Sequence, residues 1–460
     1  MKKLSFTELS CAVFAVCIAL AISSSAQTVT TVASFNGWGA SSPLTQGTNG
    51  NLYGEGNPGG IGSGNTYEVS PSGTMTGLAT LSAPFGGLTL ASNGFLYGTD
   101  QTGGTALMGS VFKMTSAGTA ATIYSFCANT CDSSNPSTPL VQVGGVLYGT
   151  TPGTVFKITF GGALTTLYNF CNTIDCNRFG PPYPSALVQG SDGNFYGTTA
   201  GGNVNLGTVF KMTPSGTLTT LYTFSGPDGS SPSGSLVQGP NGAFYGMTVT
   251  GGNTNSNCPY QSTSTCGTIF KITPGGTLTT LHKFNASDGA NPQGSLVLGT
   301  DGNFYGTTYQ GGGSTSAGTI FKINPAGKLT SLYTFCQGWF CVDGSTPRTA
   351  LMQATDGTFY GTTFNGGQQT LGVVFNLSMG LGRFVQTAPL SDSVGANIII
   401  LGNSLTGSTS VKFNGTSAAF TVLSDTEITA TVPSGATTGR VKVTTPSGML
   451  TSNAVFRVIR

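Results

Sequence analysis

The sequence predicts an all-β protein, a seven-bladed β-propeller closed by its N-terminal strand and followed by a smaller β-sandwich. Three observations predict it. A Tyr-Gly pair recurs seven times, at Tyr53, Tyr97, Tyr148, Tyr196, Tyr245, Tyr305 and Tyr360, spaced 44–60 residues apart. The residues between copies alternate apolar with polar and are punctuated by Asn-Gly and Asp-Gly steps, the chemistry of strands and two-residue hairpins. Composition excludes the other classes. Only 7% of the 460 residues are charged, too few for a coiled coil, while 71 are glycine and 10% aromatic. A net charge of +2 gives no electrostatic footprint for nucleic acid.

Residues 1–26 read as an export signal, with Lys2 and Lys3 at the basic start, an apolar stretch from Leu9 to Ile22, and small residues Ser24, Ser25 and Ala26 at the cleavage site. The apolar run falls short of the roughly 18–20 residues that span a bilayer. Neither Cys11 nor Cys17 sits in the pattern that lipoprotein processing prefers. A secreted, cell-surface or periplasmic location follows, with no membrane insertion after cleavage. Eight cysteines remain in the mature chain as four close neighbours, Cys127–Cys131, Cys171–Cys176, Cys258–Cys266 and Cys336–Cys341. In an exported chain these pair locally as disulfides. A metal site is not implied, since His282 is the only histidine and the cysteine pairs are far apart.

Each repeat carries four strands, a to d. A leucine lies nine residues before the Tyr in six copies (Leu44, Leu88, Leu187, Leu236, Leu296 and Leu351) and eight before it at Leu140. Strand a and strand b flank the Asn/Asp-Gly turn. A second hairpin, c and d, ends on aromatic residues 14 apart, as in Phe112/Phe126, Phe156/Phe170, Phe210/Phe224, Phe270/Phe284 and Phe321/Phe335, with Tyr67/Leu81 as a variant. Four antiparallel strands at this period make a propeller blade. The seventh copy stops after strand c, at Val374 and Phe375, and its missing strand d stands at the other end of the chain, over 28–35. Pairing the two closes a ring and removes the exposed edges.

These motifs, Leu-x-x-Gly-x-Asp-Gly-x-Phe-Tyr-Gly-Thr-Thr and Gly-Thr-x-Phe-Lys-x-Thr-x-x-Gly, resemble the GloVer tandem repeat over residues 28–377. The resemblance implies an exported bacterial surface protein and carries no assigned reaction. Copies one and three depart most: Tyr67-Glu68 replaces Phe-Lys in the first, and the third loses most of its b–c loop. Residues 27–378 are thus assigned to the propeller and 379–383 to a linker. Residues 384–460 resemble an IPT/TIG domain, an immunoglobulin-like sandwich, through Val394-Gly395, the run Ile398 to Gly402, Ser410 to Gly415, Thr426 to Ile428, Val432-Pro433 and Gly439 to Val443. The resemblance implies a spacer or contact module. Short alternating segments support a sandwich independently.

Strand direction alternates within a blade, so a–b and c–d turns share one face and b–c and d–a loops the other. The a–b and c–d turns are short and nearly constant. The interval from Tyr-Gly to strand c varies from 8 residues (148 to 156) to 25 (245 to 270), and all four cysteine pairs lie in b–c or d–a connections. Binding is therefore expected on that second face. Its aromatic residues, Trp38, Trp339, Phe340, Phe179, Tyr183 and Tyr260, suit stacking on sugar rings or apolar peptide contacts, or the capping of their own blades.

Other patterns point to structure. An Asp opens a recurring Asp-x-x-x-Pro connector at Asp132, Asp228, Asp288 and Asp343, which reads as turn chemistry rather than calcium binding. Lys113, Lys157, Lys211, Lys271 and Lys322 follow the strand-c aromatic and lay their stems on a blade rather than form an anion site. His282 replaces a strand-d Tyr. A glycosidase could use Glu55 with Asp100, but no zinc motif, phosphate loop or nucleophile elbow is present and no cofactor is implied. The reading is an exported, non-enzymatic binding or surface-interaction protein for extracellular polysaccharide or a surface protein. A propeller polysaccharide lyase or glycoside hydrolase, and a purely structural envelope component, are the alternatives.

Overall fold

The structure is a computed structural model that describes residues 27–37, 39–57, 64–128, 133–172, 182–201, 206–253, 258 and 265–459. Residues 1–26, expected to form an export signal, lie outside the described residues. No helix among the described residues is long and apolar enough to cross a membrane.

The repeats form seven successive antiparallel sheets of four or five strands, one per Tyr-Gly copy, numbered here 1 to 7 in chain order. Sheet 4 is representative, with strand a Val188–Gln189, b Phe195–Ala200, c Thr208–Met212 and d Leu218–Thr223. Strands b and c are buried on both sides, whereas strand d is half exposed, as expected of a sheet's outer edge. In sheet 7 strand d is Thr28–Ser34, paired antiparallel with Val373–Ser378 from Thr28↔Ser378 to Ser34↔Val373. The displaced N-terminal strand therefore occupies the position its sequence foretold.

Packing between sheets repeats as the sequence does. The Tyr of one copy stacks on the Phe that precedes the Tyr of the next: Tyr148 on Phe195, Tyr196 on Phe244, Tyr245 on Phe304 and Tyr305 on Phe359, with ring centroids 3.9–4.4 Å apart. The aromatic closing strand d meets the strand-c aromatic of the next sheet edge-on, as Phe224 meets Phe270 at 5.2 Å. Phe35 meets Tyr67 in the same way at 5.3 Å, across the junction of sheets 7 and 1. Buried apolar residues gather at every junction of successive sheets and at that last one, where Phe35, Tyr360 and Val374 join Leu44, Leu52 and Tyr67.

Residues 386–459 form the sandwich. One sheet orders Gln386–Ala388, Asn397–Leu401, Glu427–Thr431 and Phe420–Val422, and the other Thr416–Ser417, Ser410–Phe413, Val441–Thr445 and Gly448–Thr451. Its core holds Ile398, Ile400, Val411, Phe413, Ile428 and Val443. The module does not stand free as a spacer would. Ile399 and Leu401, alternating with the core residues on the same strand, face the repeats and pack with Ala388 against Leu88, Leu90 and Leu96. Polar contacts reach a–b turns of other sheets: Thr426 Oγ1 donates to the Thr48 carbonyl at 2.6 Å, and Asn403 Nδ2 to Thr355 Oγ1 at 2.7 Å. The sandwich covers the a–b turn face.

Candidate ligand-binding face

With one face of the repeats covered, the b–c and d–a connections form the other. The Asp connectors there fold on themselves. Asp228 accepts from the Ser225 N–H at 2.9 Å and from the Tyr222 hydroxyl, and Asp343 from the Cys336 N–H and the Tyr333 hydroxyl, both at 2.9 Å. His282 takes the place of those tyrosines, its Nε2 lying 3.0 Å from Asp288 Oδ2, while Asp288 also accepts from the Asn285 N–H. These carboxylates thus close turns, as the sequence indicates. Asp132 lies outside the described residues.

Two of the four expected disulfides are described in full, Cys258–Cys266 and Cys336–Cys341, with Cα–Cα distances of 5.4 and 4.1 Å. Cys127 and Cys171 are disulfide-bonded, and their expected partners Cys131 and Cys176 lie outside the described residues. The Cys336–Cys341 loop joins sheet 6 to sheet 7 and carries a single short turn, Trp339–Cys341. Phe340 (φ 70°) and Cys341 (φ 47°) adopt left-handed conformations inside it. Trp339 is 89% exposed and Phe340 85%, with Val342 beside them 58% exposed. Tyr183, 56% exposed, lies in the connector from sheet 3 to sheet 4, far along the chain from that loop. Trp38, Phe179 and Tyr260 lie outside the described residues.

Sequence patterns alone do not single out several further residues of this face. Leu107, Met108, Leu206 and Phe364 are exposed in b–c loops. The Arg348 guanidinium lies 4.0 Å from the Phe364 ring centroid and 4.8 Å from that of Tyr309, and donates to the Tyr309 hydroxyl at 2.9 Å. All the large apolar side chains that are exposed among the described residues of the seven sheets fall in b–c or d–a connections. Two of the strand-c lysines lie against aromatic rings. Lys113 lies over the Phe95 ring, and Lys211 pairs with Asp192 at 3.0 Å.

Glu55 and Asp100, the carboxylates a glycosidase would need, are both buried. Asp100 accepts from the N–H groups of Ser82 and Ala83 at 2.9 and 2.8 Å. Glu55 Oε2 accepts from the Gly87 N–H of the neighbouring sheet at 2.7 Å, and its Oε1 has no hydrogen-bond partner. Thr holds the equivalent position in other copies, where Thr99 and Thr307 bond carbonyls of the next sheet. Glu55 thus serves as an inter-sheet tie. Burial, with the Asp100 charge adding to it, pushes its pKa up to about 8. The folded chain therefore holds a proton between about pH 4.5 and 8 that the unfolded chain releases, so stability contributed here falls as pH rises through that window. Glu55→Gln is expected to flatten this part of the dependence, read from urea midpoints at pH 5 and pH 8. An unchanged slope would refute the assignment.

Comparison with known proteins adds the following. The family described as the Gloeobacter/Verrucomicrobia repeat matches residues 151–375 and, overlapping, 257–419, and the IPT/TIG domain matches 387–458. A search of curated proteins finds no match. Among solved structures, a catalytically inactive virginiamycin B lyase from Staphylococcus aureus with quinupristin is similar at 16% identity and a TM-score of 0.52, covering 76% of this chain and 99% of that one. The extracellular domain of a putative one component system from B. thetaiotaomicron is similar at 11% identity and a TM-score of 0.50. That match covers 92% of this chain, which spans about half of the other (52%). At these identities the likeness is one of fold.

Proposed function

The chain belongs to the Gloeobacter/Verrucomicrobia repeat family, and from that premise we propose an exported bacterial binding protein that holds extracellular polysaccharide on the open face of a seven-bladed propeller. The propeller comprises residues 27–378 and is closed by the strand over 28–35. Seven successive sheets and the Phe35–Tyr67 contact between the last and the first support that reading. Residues 1–26 direct export, and the disulfides accord with an oxidising compartment. A five-residue linker, 379–383, leads to the immunoglobulin-like module.

One observation carries the ligand assignment. Among the described residues, the exposed large apolar side chains of the repeats all fall on one face, and the disulfide loop holds Trp339 and Phe340 outward at its rim. Flat rings in a surface with little charge favour neutral ligands with apolar faces, as sugar rings are. Buried and internally bonded Glu55 and Asp100 favour binding without hydrolysis.

The test is a glycan array with the mature protein and the Trp339→Ala/Phe340→Ala double variant. Specific binding by the wild type, lowered at least about fivefold in the variant, is expected, since losing two stacking rings removes roughly 1–3 kcal/mol. Equal binding by both would remove the loop from the site. Binding by neither would overturn the polysaccharide assignment in favour of a protein ligand, and release of shortened products would restore the enzymatic reading.

A further inference from the structure

Four of the seven sheet junctions carry one recurring side-chain clasp. A Gln on strand a accepts from the backbone N–H of a Ser or Thr in the a–b turn of the preceding sheet, and donates its Nε2 to that residue's hydroxyl. Gln142 clasps Ser92 in this way (2.9 and 2.7 Å), Gln238 clasps Ser191 (2.9 and 3.2 Å), Gln353 clasps Thr300 (3.1 and 3.2 Å), and Gln46 clasps Thr355 (both 3.0 Å). The last of these spans sheets 7 and 1. Each clasp satisfies a turn N–H and ties neighbouring sheets.

Three junctions lack it, each for a reason written in the sequence. Between sheets 1 and 2, Leu90 replaces the Gln. Between sheets 5 and 6, Leu298 replaces it and faces a turn whose equivalent residue is Pro240, which has no N–H to offer. Between sheets 3 and 4, Gln189 is present, but the turn of the third copy is one residue short, Val143-Gly144-Gly145-Val146, and brings no hydroxyl.

The sandwich reaches all three. Leu90 is covered by Ala388, Ile399 and Leu401. At the junction of sheets 5 and 6 the contact is to sheet 6 alone: the Leu298 carbonyl accepts from Asn453 Nδ2 at 2.7 Å, and that Nδ2 also lies 3.5 Å from Gln353 Oε1 of sheet 7. At the third, Ser391 takes the place of the missing turn residue: its hydroxyl donates to Gln189 Oε1 at 2.7 Å, and its carbonyl accepts from the Gly144 N–H at 3.2 Å. We infer that the a–b turn face is a docking surface for this chain's own C-terminal module, and that the module supplies the ties that two of these junctions, 1–2 and 3–4, lack. The module is then part of the fold of the repeats.

The test uses the full chain. Ser391→Ala, Gln189→Leu and the double variant are compared by native-state hydrogen exchange, with Gln238→Leu as a control whose clasp lies wholly within the repeats. Either single variant at the third junction is expected to speed exchange of amides in sheets 3 and 4 about five- to tenfold, the worth of one buried hydrogen bond. The double variant should add little to Gln189→Leu, which already removes the bond to Ser391 together with that from Gln189 Nε2 to the Gly193 carbonyl. Gln238→Leu should act on sheets 4 and 5 alone. Unchanged exchange in Ser391→Ala, or a double variant that exchanges faster than Gln189→Leu alone, would overturn the inference.

Discussion

Phe35→Ala is expected to lower unfolding stability by roughly 3–5 kcal/mol, the usual range for emptying a buried Phe site. Phe35 is fully buried, its ring set edge-on against Tyr67, and its N–H bonds the Gly372 carbonyl at 3.1 Å. What distinguishes it from the other strand-d aromatics is chain connectivity. Phe126 and Phe224 close strands that follow directly on their own strand c, whereas the strand over 28–34 pairs with Val373–Ser378, more than 300 residues away along the chain. Releasing it would leave the edge of sheet 7 open to pairing with other chains. Denaturant unfolding gives the stability loss, and limited proteolysis with size-exclusion chromatography gives the fate of the strand. A loss below about 1 kcal/mol, with the N-terminal strand still protected, would mean that its pairing with Val373–Ser378 does not depend on this contact.

Ile399→Asp is expected to undock the C-terminal module while leaving that module folded. Ile399 is buried against the repeats, and its strand neighbours Ile398 and Ile400 face the module's own core. A carboxylate at 399 would be buried without a partner, a penalty of several kcal/mol that separation relieves. An increased radius of gyration in solution scattering and new cleavage between 379 and 383 are the expected signs. Ile400→Asp, one residue on, should instead unfold the sandwich itself. Identical scattering from wild type and Ile399→Asp would show that the interface does not hold the two parts together.

Much of the fold is legible because the repeat restates it in copy after copy. The Tyr-Gly spacing, the aromatic interval of 14 and the displaced last strand each map onto a feature of the seven sheets. Why Gly follows Tyr is legible only in three dimensions. In sheet 5, Gly246 lies opposite Phe270 across the strand pair, and a Cβ there would come within 2.6 Å of the Phe270 ring. The position is small because the Phe270 ring and Leu236 occupy the space a side chain would need. The open face is legible from loop-length variation, since a–b and c–d turns must stay short to keep the sheets in step. Arg348 between Tyr309 and Phe364 is not, because its two ring partners come from other loops.

The sequence by itself determined the architecture: strand period, turn residues and repeat length are local properties, and seven local copies leave little freedom. Tertiary structure alone decided how the C-terminal module sits. The run Ile398 to Leu401 is apolar at four successive positions, the mark of a strand covered on both sides, yet nothing local says what covers the second side. Likewise the shortened third turn and Leu90 look like scatter between copies. They become one pattern only when Ser391, more than 200 residues from Gly144 along the chain, is seen beside it. Contacts between distant segments depend on how surfaces meet, and no period in the chain records them.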